Sequence, residues 1–437
     1  MFKAGASFKN ITPKKSHFLY GYPFVERMST GVNDWLYSSA LYLTDGNESV
    51  FFIANDIIYV NKSIVTSVRK IVSEATGVPA DHIMIGATHT HSGPVTVDSV
   101  VSGNDPVVPP VDPDYIDFLE KQMISSAIMA FHHAAPAKIG LTVADGTGIG
   151  TNRHVPDGPA DLDMPVLAVK NLEDEWIACM LVCSMHPTVL HEDSTLYSGD
   201  FPAYARDMLQ KKILGCQCPV LHFTGTAGNQ SPRHVTKSNT FDEAARLGGI
   251  IAEAVKMKFD AGISFETSPV ISCRQALVDL PRRIFPSVER ASSNRDRALE
   301  LFQSLKETSV CKQEIRTAEV DWFGAEELLF LSKQAQNGVL EEAYRTSLPA
   351  EIQIISIGAQ TIVSWPGEVF VEYALELKKK FADTYLVTLT NGELKGYIVT
   401  EEAGKENYYE ASNSLFHYSS GEVMLSKTIE MLNSSGL

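Results

Sequence analysis

Short apolar runs alternate with longer amphipathic stretches over most of this 437-residue chain. Runs at 49–54 and 83–87 predict strands, and the apolar spacing across 63–75 predicts a helix between them. A long helix is predicted over 113–133, where Asp112 and Pro113 supply a cap and a first-turn proline. Strands follow at 138–143, 166–169 and 177–184. A helix begins near Pro202, 220–224 is a further strand, and 241–259 is a helix with an alanine- and glycine-rich face. Such alternation marks an α/β protein.

From about 264 to 353 the pattern changes. Strands are predicted near 270–280 and 314–320, with charged helices over 287–307 and 324–336, as an inserted subdomain or a lid would have. Beyond it, 351–357 and 360–364 read as a hairpin around Gly358 and Ala359. A helix over 369–381, a strand near 385–389 and a terminal helix over 422–432 complete the pattern. The proline-rich stretch 104–113 is a stiff extended loop, bordering a substrate entrance or simply crossing the surface.

The chemistry-bearing residues cluster where apolar runs stop. His89 and His91 follow the run Ile83-Met84-Ile85, and Ser92-Gly93-Pro94 breaks the strand after them. Alternate strand residues share a face, so both imidazoles are expected to project into one cleft. There they either bind one metal together or divide metal binding and proton transfer between them. His186-Pro187-Thr188 repeats the arrangement after 178–184, although a single strand-end histidine is commonly a buried structural imidazole. Trp365-Pro366-Gly367-Glu368 follows 361–364, and Glu368 is expected in the first turn of the next helix. It serves there as a metal ligand or as a plain helix N-terminal carboxylate. The small-residue loop 225–232 lets backbone N–H groups approach an anion or oxyanion. Its Ser231 is a possible nucleophile without the G-x-S-x-G elbow, and no Walker pattern follows. All these loops lie at C-terminal ends of strands, where open α/β sheets place ligand sites. Histidines with a carboxylate suggest zinc.

Composition narrows the partners. A net charge of −16 and a pI near 5.2 argue against nucleic acid and against adhesion to anionic membranes. No run approaches the ~20 apolar residues of a membrane-spanning helix, and no secretory signal opens the chain. A cytoplasmic location is the expectation. Six cysteines in so long a chain make no disulfide framework. Cys216 and Cys218 read as two buried thiols entering a strand, with a soft-metal site as the alternative. A hydrophobic fraction of 44% supports a large core.

The motifs taken together resemble the neutral ceramidase family, zinc amidases that cleave the N-acyl bond of ceramide. Thr88-His89-Thr90-His91-Ser92-Gly93-Pro94 resembles its signature. Ile11-Thr12-Pro13 with Gly21-Tyr22, Asn152-Arg153, and His186-Pro187-Thr188 with Ser198-Gly199-Asp200 are similar to further family segments. So are Gly228-Asn229-Gln230-Ser231-Pro232, Pro366-Gly367-Glu368, and the closing Gly396-Tyr397-Ile398-Val399-Thr400 with Tyr409-Glu410-Ala411-Ser412. All occur in the family's order along nearly the whole chain. Two positions depart from the pattern: Val95 stands where a glycine is usual, and Arg233 where an asparagine is usual.

The resemblance implies a mixed, multi-layer α/β catalytic domain over 1–437, within which the segment at about 264–353 stays a possible inserted subdomain or lid; the immunoglobulin-like C-terminal domain typical of the family is not expected here. It implies Zn2+ held by His89, His186, Glu368 and Tyr397. It places His91, Arg153 and Tyr409 around the scissile carbonyl and matches Ser231 to a serine proposed as catalytic in the family. The implied activity is hydrolysis of a small-molecule N-acyl amide, ceramide or another, by a metal-activated water. Two alternatives stay open: a serine hydrolase using Ser231, and a non-catalytic metal- or ligand-binding protein on the same fold.

Overall fold

The computed structural model describes residues 1–434 apart from 309 and 407. Four layers stack in the order helix, sheet, sheet, helix. The large sheet is built from β1 (Lys3–Asn10), β2 (Tyr37–Thr44), β3 (Ser49–Asn55), β4 (Ile83–Ala87), β5 (Ala135–Asp145), β6 (Asp163–Asn171), β7 (Trp176–Cys183) and β8 (Val220–Thr224). Their order is β8-β7-β6-β5-β1-β2-β3-β4. The terminal pairs β8–β7 and β3–β4 are parallel, and every pair between them is antiparallel. The smaller sheet has the order β9 (Ile271–Val278), β10 (Ala350–Ile357), β11 (Gln360–Ser364), β12 (Thr384–Val387). The hairpin expected at Gly358 joins β10 to β11, with Gly358 in the left-handed region at φ 57°.

Strand alternation explains the layering. In β3, Phe51 and Ile53 turn to one side, and Phe52 and Val50 to the other. The first pair packs under α1 (Lys62–Thr76) and α2 (Pro113–His132), with Val68, Leu119 and Met123. The second pair packs against the smaller sheet, on Ile355, Ile362 and Val387. Helices α3 (Asp200–Leu209) and α4 (Phe241–Asp260) cover the β6–β8 end of the same outer face. The far side of the smaller sheet is closed by α8 (Val371–Lys380) and α11 (Ser420–Asn433). The expected mixed multi-layer α/β fold is therefore present.

Between β9 and β10 run α5 (Val288–Lys306), α6 (Lys312–Gln336) and α7 (Glu341–Ser347). The strand expected at 314–320 is instead the first part of α6. Its β-branched residues suggested a strand, but Arg316 and Glu319 pair at 2.8 Å across one turn, and buried Ala318, Ala325 and Leu329 lie at helical spacing. Two short helices, α9 (Glu401–Glu406) and α10 (Tyr409–Ser412), precede α11. No helix among the described residues is long and apolar enough to cross a membrane. All six cysteines are free thiols; Cys218 is buried, but Cys216 is exposed rather than buried.

The two sheets are stitched together by the segment after β12. Thr388 N donates to Thr224 O (2.8 Å), Ala87 N to Leu389 O (3.1 Å) and Asn391 N to Ile85 O (2.8 Å). This joins the C-terminal ends of β4, β8 and β12 at one place. The loops carrying the histidines and Glu368 leave from that junction.

Candidate metal centre

Strand β4 stops at Ala87, so the two histidines lie on the loop beyond it and not on the strand itself. Thr88 N and His89 N still donate to Asn55 O (2.8 Å) and Ile57 O (2.9 Å), which anchors the loop. His89 then adopts φ 67°, a left-handed conformation costing ~1–3 kcal/mol outside glycine. That turn, and not strand alternation, brings the rings of His89 and His91 edge to face, with centroids 4.9 Å apart. Their Nε2 atoms are 3.3 Å apart.

The imidazole of His89 donates from Nδ1 to Ile58 O (3.0 Å), and His186 donates from Nδ1 to Ala227 O (2.5 Å) and Gln230 O (3.0 Å). These carbonyls fix both tautomers and leave each Nε2 as a lone pair. Both lone pairs point at Glu368 Oε2, at 3.3 Å from His89 and 2.9 Å from His186. Ligating histidines typically carry such outer contacts on the second nitrogen. His89, His91 and His186 also form a three-imidazole group whose ligand atoms lie within 4.8 Å of one another. The donor set fits a divalent metal, with His89 and His186 common to both groupings.

Glu368 is not in a helical first turn. It lies in a two-residue strand, Glu368–Val369, paired in parallel with Tyr397–Ile398, and α8 starts only at Val371. Gly367, at φ 83°, makes the turn that precedes it. Glu368 Oε2 is the oxygen that faces the two imidazoles. Its other oxygen, Oε1, accepts a short hydrogen bond from Tyr59 OH. Tyr59 went unnoticed in the sequence; it follows β3 at one more strand end, but no motif marks it. Burial and the nearby Glu368 push its phenol well up, as burial does for Tyr397 and Tyr409.

Arg153 and Tyr409 each pack against Tyr397. The Arg153 guanidinium carbon is 5.4 Å from the centroid of the Tyr397 ring, and the Tyr397 and Tyr409 rings are 6.1 Å apart. Arg153 Nε donates to Glu410 Oε1 (2.6 Å), and Glu410 is also bonded to His154 Nε2 (2.9 Å). Burial opposes the charge on Arg153, but Glu410 keeps it firmly protonated. Arg153 Nη2 is also 2.5 Å from Glu410 Oε1, so the guanidinium faces that carboxylate through both Nε and Nη2. His91 is buried at Nδ1 without a partner there among the described residues, and its carbonyl is pinned by Arg27 Nη1 (2.9 Å).

Four amides of the loop 225–232 are bonded within the protein. The N–H groups of Gly225, Ala227, Gly228 and Gln230 donate to Cys183 O, Gly225 O, Val369 O and Ala227 O. A Cβ on Gly228 would sit 2.7 Å from Val369 O. Glycine there lets the loop press against the strand that carries Glu368. Asn229 bridges onward, accepting Val371 N at Oδ1 (2.9 Å), so it caps α8 from a distance. Ser231 pairs with Thr151 in a two-residue ladder, and its Oγ accepts Arg233 N (3.0 Å). Among the described residues no imidazole or carboxylate hydrogen-bonds that hydroxyl.

No family model matches the chain. The structure of the neutral ceramidase from Pseudomonas aeruginosa superposes on it with a TM-score of 0.76 at 16% identity, covering 98% of this chain and 74% of that one. A second structure, of a ceramidase complexed with C2, superposes with a TM-score of 0.76 at 15% identity over the same shares. With its centre built at the junction of two sheets, this chain carries the fold of the neutral ceramidases.

Proposed function

We propose that this chain is a zinc-dependent hydrolase that cleaves a linear N-acyl amide. The observation that carries the reading is the convergence of the His89 and His186 Nε2 lone pairs on one Glu368 oxygen, with each ring locked through its Nδ1. Two neutral imidazoles and a carboxylate are a set that zinc favours, and Tyr397, opposite Glu368 in the same ladder, is the proposed fourth ligand. A zinc ion held there supplies Lewis acidity, which polarises a carbonyl and activates water near neutral pH.

The surrounding side chains supply the remaining chemistry. His91, packed against His89 with its Nδ1 free of protein partners among the described residues, takes a proton and returns it to the leaving amine nitrogen. The Arg153 guanidinium and the Tyr409 hydroxyl, both packed against Tyr397, donate to the carbonyl oxygen as charge develops on it. Glu410 and His154 hold the Arg153 guanidinium in place. Ser231 has a supporting role in the loop that orients His186.

Elemental analysis of protein purified without chelator tests the reading. The expected result is roughly one zinc per chain, lost in His186→Ala, with turnover on a panel of N-acyl amides that includes short water-soluble ones and a short-chain ceramide. Absence of zinc removes the metal; bound zinc with no amide or ester cleaved removes the enzyme.

A further inference from the structure

We infer that this protein binds a small organic carboxylate with an apolar body at a second site, an open cavity lined by Arg283 and Arg290. The inference does not rest on the hydrolase reading above. The cavity has a volume of about 420 Å³, within the roughly 300–1,000 Å³ usual for a small-molecule site. None of the residues proposed for the metal centre lies on its lining. Its walls come from the segment before α5, from α5 and α6, and from the chain on either side of α10. Backbone bonds tie two of these walls together: Arg283 N donates to Leu415 O (3.0 Å), and His417 N to Pro281 O (2.9 Å).

The lining carries Arg283, Arg290 and His417 but no aspartate or glutamate. The chain has 53 Asp and Glu residues against 37 Lys and Arg, so a cavity of this charge runs against its composition. Arg283 donates from Nη1 to the carbonyls of Ala411, Ser412 and Ser414. Among the described residues nothing hydrogen-bonds its Nε or Nη2, and no carboxylate pairs with it. The carbonyls therefore engage one nitrogen and leave the positive charge without a counter-ion, which is costly away from water. Burial draws the Arg283 guanidinium down to about 10, so it stays protonated at neutral pH. Arg290 is exposed, and its side chain has no partner among the described residues either. Glu401, an acid whose charge reaches His417, is off the lining and paired with Lys405 at 2.6 Å.

Open guanidinium donors suit a carboxylate, which accepts paired N–H groups in one plane. The three carbonyls beside Arg283 oppose a second negative charge, which favours a monoanion over phosphate. A separate feature selects the rest of the ligand. Leu328, Val399 and Phe416 are buried side chains that also line the cavity, and Ile284 at the same site is 90% exposed. This apolar surface is covered by a hydrocarbon body attached to the anion, and a bare inorganic ion would leave it wet.

Four probes discriminate: 4-phenylbutyrate, neutral 4-phenylbutanol, cationic 4-phenylbutylamine and inorganic phosphate. Each is titrated calorimetrically into the metal-loaded full chain. The carboxylate is expected to bind about tenfold or more tightly than the alcohol, with the amine and phosphate weaker than the carboxylate. Arg290→Gln should cut the preference over the alcohol severalfold, and Arg290→Glu should abolish it. Arg283→Gln should act in the same direction, but its Nη1 also holds backbone carbonyls, so the Arg290 variants decide the matter. Equal binding of the alcohol, or tighter binding of the amine or of phosphate, overturns the inference. So does a carboxylate preference that survives Arg290→Glu, which would place the anion elsewhere, as on the metal.

Discussion

Glu368 and Tyr397 are direct partners in a two-residue parallel ladder, so two proposed ligands from distant parts of the chain are aligned by backbone pairing. The ladder positions both side chains before any metal arrives, and Tyr59 fixes the Glu368 carboxylate from behind. Glu368→Gln is expected to keep the fold and lose the metal. Tyr59→Phe removes only the outer hydrogen bond and should weaken metal affinity by ~10–100-fold. Competition with a chromophoric chelator reads both. A Tyr59→Phe protein that binds metal like the parent would show that the hydrogen bond does not orient the ligand.

His91 is the residue whose role the two donor groupings divide, because it belongs to the three-imidazole group but makes no contact with Glu368 of the kind His89 and His186 make. As the proton carrier, His91→Ala should keep the metal while turnover falls by ~10²–10⁴. Gly21 offers a second route to the same test. At φ 127°, its Cβ position lies 2.5 Å from His91 Nδ1. Gly21→Ala should therefore displace the ring and lower turnover while His89 and His186 still hold the metal. Loss of metal from His91→Ala would make His91 a ligand instead.

Ser231 tests the serine alternative. Its hydroxyl accepts the Arg233 amide at the start of a short helical turn, so Ser231→Ala should cost about 1 kcal/mol of stability, as loss of a cap does. Turnover should fall by less than the ~10²-fold that removing a proton-transfer group typically costs. Mass spectrometry of protein quenched during turnover should find no acyl adduct. An acyl group trapped on Ser231, together with abolished turnover in the alanine variant, would transfer the nucleophile to the serine.

What the sequence made legible follows from where local signals agree with the tertiary structure. The buried strands β3, β4, β7 and β8 are uniform apolar runs, and α2 opens on Asp112, whose side chain accepts Asp114 N as a cap should. Strand β1 left no such trace. Its small residues exist for close packing: a Cβ on Gly5 would lie 2.2 Å from Ala130 O of α2. The strand-end histidines pointed to the right place for an incomplete reason. The meeting of their rings depends on the left-handed turn at His89, a conformation that glycine or asparagine would advertise and a histidine does not. Glycine's freedom in the loop 225–232 is visible in a sequence, while the carbonyls that take four of its amides are not. Tyr59 was hidden because it comes from a loop that no motif marks, brought to Glu368 only by the fold.

Arg153 and Glu410 form a buried ion pair, with side chains 10% and 1% exposed. Burial alone would raise the Glu410 carboxyl, but Arg153 and His154 hold it down at about 2. A carboxylate with a depressed pKa stabilises the fold above its ordinary value, and that contribution disappears as pH falls through the window from about 4.5 to about 2. The shift corresponds to on the order of 3 kcal/mol. Glu410→Gln leaves a buried guanidinium without its counter-ion, which should cost roughly 3–5 kcal/mol at pH 7. It should also flatten the acid limb of the stability profile between those two pH values. Urea unfolding of metal-free protein across pH 2–7 measures both effects without interference from metal release. Turnover should fall too, since the donor aimed at the carbonyl oxygen loses its anchor. Parallel acid limbs in the parent and the variant would show that the pair does not carry this part of the stability.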